Sequence, residues 1–213
     1  MGRFAITGVV RKEEILYKNN SHLLKPGDSL IITKPIGSGV LLAGNMRNQV
    51  DGTNIERMLE SMLLSNKKAA SIARKHESKG ITDVTGFGFM GHLVEMIKSS
   101  TSIISVDIYL DEVPIFEGAS ECVRNDVSSS LFLDNFRVSR LVNNSQFALE
   151  NRPHSYPILF DPQTSGGLII IVPQETAVDC LEELKGSGYP DSRMVGQISK
   201  RLTNLEIDFD IIF

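Results

Sequence analysis

Apolar positions along this chain recur with two different periods, and the switches between them predict its elements. Residues 3–10 alternate weakly and predict an edge strand. A polar, irregular stretch over 11–27 follows and ends in the turn signal Lys25-Pro26-Gly27-Asp28. Ser29-Leu30-Ile31-Ile32-Thr33 is a short β-rich run of the buried-strand kind, and a short helix is expected from about Val40. From Asn54 to Lys79 the period is helical. Ile55, Met58, Leu59, Met62 and Leu63 form one stripe, and Ala69, Ala70, Ile72 and Ala73 form another. Ser65-Asn66 breaks the two, and Lys79-Gly80 is a stop signal. Ile81 to Gly88 then reads as a turn running into a helix whose stripe is Phe89, Leu93, Met96 and Ile97.

Period two returns in Ser102–Val113, which Pro114 closes. Residues 115–123 predict a short helix, 126–135 a polar loop, and 143–149 one or two helical turns. The five apolar residues Leu168–Val172 have the length and branching of a central strand. Residues 174–186 form an amphipathic helix with Ala177, Val178, Leu181 and Leu184 on one face. Met194–Ile198 and Leu205–Ile211 close the chain as two strands, with Asn204 suggesting a hairpin. This order predicts an α/β (α+β) domain, a mixed sheet layered with helices.

Composition narrows the class. Apolar residues at 41% and charged residues at 23% are ordinary for a globular protein, and 213 residues can bury a sizeable core. A net charge of −4 gives no hint of a nucleic-acid surface. Cys122 and Cys180 make no disulfide framework, which favours a reducing, cytoplasmic setting, and Cys180 reads as a small core residue. No apolar run approaches a membrane span, and Met1-Gly2-Arg3-Phe4 lacks the apolar core of a signal peptide.

Three stretches carry candidate chemistry. In Thr82-Asp83-Val84-Thr85-Gly86-Phe87-Gly88, glycines allow a ligand close to the backbone and the following helix N-terminus favours anions. Thr85 is a candidate N-cap. Asp83 is a hard oxygen ligand of the kind Mg²⁺ takes when it bridges phosphates. The same residues also read as a capped helix with an exposed Asp. In Thr33-Lys34-Pro35-Ile36-Gly37-Ser38-Gly39-Val40, Lys34 is either a phosphate contact or a solvated turn residue. Gly37, Ser38 and Gly39 resemble a backbone nest without the lysine of a P-loop. In Asp161-Pro162-Gln163-Thr164-Ser165-Gly166-Gly167, a carboxylate and hydroxyls can orient phosphate, metal or water, or the segment forms two turns only. His92 reads as a packed or capping residue and His76 as a surface one.

These three runs, together with Phe4–Val10, resemble segments of selenophosphate synthetase (selenide, water dikinase) in order and spacing over essentially the whole chain. The resemblance is to that family's carboxy-terminal half. It implies the carboxy-terminal domain shared with aminoimidazole ribonucleotide synthetase, ATP and Mg²⁺ as cofactors, selenide as substrate, and a homodimer in the full-length enzyme. The implied reaction turns ATP, selenide and water into selenophosphate, AMP and phosphate, supplying selenium for selenocysteine and modified tRNA. Asp83 is then the metal ligand, and Thr82, Thr85, Gly86, Asp161, Thr164 and Ser165 are the cofactor-binding candidates. The family's catalytic Cys (or selenocysteine), its catalytic Lys and its Asp cluster belong to the amino-terminal half. No catalytic residue is therefore expected here, and the chain alone is expected to be inactive. Residues 1–27 would be a strand and linker of that other half, and 28–213 the domain. Where the family has a Gly-rich turn, this chain has Ser128-Ser129-Ser130, although Asn135 fits the Asn that follows. Two other readings remain at this stage: a domain of the related purine-pathway synthetase, or a non-catalytic scaffold that pairs with a separate chain.

Overall fold

A computed structural model describes residues 8–12, 15–18, 23–98, 104–200 and 208–213. Six strands form one sheet: β1 (Ser29–Ile32), β2 (Gly80–Asp83), β3 (Ile104–Tyr109), β4 (Leu168–Val172), β5 (Arg193–Lys200) and β6 (Phe209–Ile212). Their order is β2-β4-β1-β5-β3-β6. Every neighbouring pair is antiparallel except β3 and β6, which run parallel.

Strand alternation sorts the apolar side chains onto two faces. Leu30, Ile32, Ile169, Ile171, Val106 and Ile108 face the larger core, packed under α1 (Ser38–Asn45), α4 (Gly88–Lys98) and α5 (Ala119–Arg124). Ile31, Ile81, Leu168, Ile170 and Val172 face the smaller one, under α3 (Lys67–Lys75) and α8 (Gln174–Gly186). Both faces of β4 are covered, which is why it reads as an unbroken apolar run rather than an alternating one. Beyond β1 the second face turns polar: Asp107 accepts from the Gln197 amide at 3.1 Å and the Ser199 hydroxyl at 3.0 Å. The other α-helices among the described residues are α2 (Gly52–Leu63), α6 (Phe132–Phe136) and α7 (Ser145–Asn151).

The predicted α/β class and most elements match the structure, and the differences have local causes. Thr82 and Asp83 are not turn residues; they pair with Ile169 and Leu168 as the end of β2. The α3 helix stops at Lys75, short of the Gly80 signal. Glu77 takes the left-handed conformation, and the Lys79 N–H is already committed to Ile171 O, so the chain enters the sheet before that glycine. Helix α1 begins two residues earlier than expected, at Ser38. The expected terminal hairpin does not form: β3 lies between β5 and β6, and the last strand pairs parallel to β3. Residues 126–135 are not all loop, since Phe132 opens α6. His76 is half-buried, with its Nε2 2.8 Å from Glu183 on α8, so it ties two helices together instead of facing solvent. Residues 3–7 of the expected first strand lie outside the described residues, and 8–10 are not strand. Residues 15–18 run beside β2, where the Ile81 N–H donates to Tyr17 O.

Candidate functional site

Strand polarity brings the three candidate stretches together. β4 runs antiparallel to β1 and β2, so its first residue lies beside their last ones: Leu168 pairs with Asp83, and Ile169 with Ile32. The loop leaving β1, the loop leaving β2 and the loop entering β4 therefore meet at one end of the sheet. Backbone bonds lock them in place. Thr33 N–H donates to Leu168 O, Leu168 N–H to Thr33 Oγ1, Val84 N–H to Gly167 O, and Gln163 N–H to Thr85 O.

Gln163 joins the loops. Its buried Oε1 accepts from the Gly37 N–H at 2.8 Å, the Ser38 N–H at 3.0 Å and the Ser38 hydroxyl at 3.1 Å. Its Nε2 donates to Asp161 O at 2.9 Å. The N–H groups of Gly37 and Ser38, which the sequence offers as an anion nest, are thus already occupied by a side chain of the third loop. Two glycines exist because backbone passes too close for a side chain. A Cβ on Gly39 would collide with Pro162 O and Asp161 Oδ1, and one on Gly167 would sit 2.7 Å from the Lys34 nitrogen.

Asp161 is 2% exposed. It accepts from the Ser129 amide at 3.0 Å, the Ser129 hydroxyl and the Val40 N–H. Burial pushes its carboxyl above the ordinary range, and those donors oppose the shift. The serine run thus supplies donors that hold a loop carboxylate. Asn135 closes the same corner, donating to Gly86 O at 2.9 Å and Phe160 O at 3.0 Å. Lys34 is not a solvated turn residue, although it borders a cavity of about 500 Å³ with Asn54, Arg57 and Tyr189. It is 3% exposed, with Nζ donating to Leu64 O at 2.6 Å and weakly to Ser165 O, and burial lowers its pKa.

The predicted residues divide into groups. Thr85, Gly86 and Asp161 belong to the interlocked corner. Thr85 does not act as a side-chain N-cap, because its hydroxyl bonds His92 Nε2 at 3.0 Å. Thr82 is buried against its own strand, while Asp83 is exposed at the strand end. Both border a groove of about 490 Å³ with Lys18, Asn66 and Lys67. Thr164 and Ser165 present side chains at the surface, and Ser165 has a left-handed backbone (φ 49°). Among the described residues, no three His, Cys, Asp or Glu side chains are grouped to hold a metal ion. None of the helices they form is long and apolar enough to cross a membrane. Sequence reasoning missed Gln163, Ser38 and Ser129 as organisers. The one available signal was Gln163, the only long polar side chain in its motif.

A six-stranded mixed sheet with helices on both faces, closed at one end by these loops, defines a layered α/β domain, and residues 25–205 match the family described as AIR synthase related protein, C-terminal domain. The chain belongs to that family. Over 198 residues it is 35% identical to the selenide, water dikinase of Clostridioides difficile (strain 630), covering 91% of this chain and 54% of that protein. The chain therefore spans about half the length of the curated relative it matches, and a carboxy-terminal half fits. Among solved structures, the hydrogenase maturation protein HypE superposes with a TM-score of 0.62 at 14% identity, covering 90% of this chain and 52% of that one. HypE in complex with ATP gives 0.57 at 16%, covering 85% and 45%. At such identities these two establish the fold alone.

Proposed function

We propose that this chain is the carboxy-terminal part of a selenide, water dikinase, which makes selenophosphate from selenide, ATP and water and releases AMP and phosphate. The observation that carries this reading is the meeting of the three resembling stretches at one end of the sheet, in a chain 35% identical to such an enzyme. The ATP-bound HypE neighbour is consistent with nucleotide use at this fold. In this reading Thr85, Gly86, Thr164 and Ser165 border the nucleotide, and Thr82 and Asp161 support the loops that carry them. Gln163 keeps those loops in register, so that the site is formed before any ligand arrives.

Mg²⁺ fits as a shared ion. Asp83 offers one exposed carboxylate and the described residues offer no cluster, which suits an ion held by one or two carboxylates together with phosphates. Bound there, the ion would neutralise phosphate charge during transfer. The remaining ligands, the nucleophile and the dimer contacts belong to an amino-terminal half, with which residues 1–27 are grouped. In this reading the enzyme works in the cytoplasm on small molecules, selenide and ATP. The test is a chimera in which this chain replaces the matching half of the C. difficile relative. Selenide-dependent AMP formation by the chimera, and none by this chain alone, is expected. A folded chimera without it contradicts the reading.

A further inference from the structure

Lys34 is a buried cation without a counter-charge. Its ammonium meets two carbonyl oxygens, Leu64 O at 2.6 Å and Ser165 O at 3.4 Å, and among the described residues it has no carboxylate partner. The partly buried Lys79, by contrast, pairs with the Asp28 carboxylate at 2.6 Å. Carbonyls replace part of an ammonium's lost hydration but do not neutralise it, and a fully buried lysine is ordinarily paired. The cavity of about 500 Å³ that Lys34 borders offers room for the missing charge. Asn54, Arg57 and Ser61, which share a face of α2, line it together with Leu64, Phe116 and Tyr189. The Tyr189 hydroxyl is spent on Ser65 O and the Ala69 N–H, so that residue presents its ring.

The other charged residues around the cavity, Arg57, Glu60, Glu117 and Asp191, are all exposed, so they stand at its rim. Arg57 is paired with Glu117. Glu60 and Asp191 make no hydrogen bond or ion pair among the described residues. Charge is therefore positive at the buried floor and negative at the rim. We propose that this cavity binds a small zwitterion, with a carboxylate that enters to pair with Lys34, an apolar middle against Phe116 and Leu64, and an ammonium left at the rim beside Glu60 and Asp191. A bare anion would meet the two rim carboxylates on entry, and a bare cation would meet Lys34 at the floor. The volume lies in the range of small-molecule sites. None of the residues assigned above to the nucleotide or to the metal lines the cavity, so the proposal does not rest on the dikinase reading. The two places are linked all the same, because the ammonium that would turn toward the carboxylate is the one that reaches Ser165 O.

The test is a titration of the full chain with ε-aminocaproate, followed by ¹H–¹⁵N correlation spectra, beside caproate and hexylamine as single-charge controls. Saturable shifts are expected at the amides of Lys34, Ser61 and Leu64, and at Gly166, which follows the Ser165 carbonyl. Caproate should bind more weakly and hexylamine should leave these amides in place. Lys34→Met keeps the length of the side chain and removes its charge, and should weaken ε-aminocaproate at least roughly tenfold. Glu60→Gln and Asp191→Asn, at the exposed rim, should each weaken it roughly threefold while leaving caproate unchanged or tighter. Ser61→Phe fills the cavity with Lys34 in place and should abolish the shifts, which covers the case of a Lys34→Met chain that does not fold. The absence of saturable shifts with ε-aminocaproate overturns the proposal. So does unchanged binding in a folded Lys34→Met or Ser61→Phe chain, or caproate that binds as tightly as ε-aminocaproate.

Discussion

The Gln163 carboxamide accepts two backbone amides and a hydroxyl from the first loop and donates to its own loop, all away from water. Gln163→Leu keeps the bulk and strands those partners, so it should cost roughly 3 kcal/mol in denaturant unfolding. A loss below about 0.5 kcal/mol would mean that water replaces the side chain freely. Asp161 makes a pH-dependent prediction. Its folded pKa lies above the ordinary carboxylate value, so the unfolded state releases this proton first as pH rises. The contribution is full below the ordinary value and is lost as pH climbs through the raised one. Asp161→Asn removes the loss, and its stability relative to the parent should improve from pH 3 to pH 7 in paired urea melts. An opposite trend would mean that Ser129 and Val40 hold the anion more firmly than burial opposes it. None of this was visible residue by residue, because a donor's partner across 125 residues of chain leaves no local pattern. The exposure of Asp83 was legible for the opposite reason: a carboxylate just before a Gly-rich turn reads as exposed from its local sequence alone, and it is exposed at the end of β2.

Elements were legible where burial is simple. The Leu168–Val172 run and the helix over 174–186 match β4 and α8 because one apolar block or one stripe fixes each of them. Pairing was not legible. Strict alternation in the last strand says which side chains are buried but not which neighbour it joins, and β6 joins β3. Its outer edge is then closed by Asn144, whose amide donates to Ile211 O at 2.7 Å and whose carbonyl accepts the Ile211 N–H at 2.9 Å. That pair of bonds mimics a further strand and blocks edge-to-edge association. Asn144→Ala should cost about 1–2 kcal/mol and speed exchange of the Ile211 amide. An Ile211 amide as slow as in the parent would show that another group closes the edge.

At the scale of the whole molecule, three loops, two of them in contact across 135 positions of chain, come together because antiparallel pairing sets two strand ends beside a strand start. The loops are fastened to one another by Gln163, Asn135 and the backbone, while Asp83 stays exposed beside them. The loops are therefore held in one arrangement, and among the described residues Asp83 is an exposed carboxylate beside them. The central claim is that this carboxylate binds metal rather than supporting the fold. It is tested most directly by Asp83→Asn in the active chimera, with selenide-dependent AMP formation followed across a Mg²⁺ titration beside a thermal melt. Asn caps a turn about as well as Asp and opens no cavity, so the melt should stay within about 2 °C of the parent. Turnover should fall at least tenfold, recovering in part at high Mg²⁺. Parental turnover with unchanged Mg²⁺ dependence, or loss of activity only through early melting, would contradict the account.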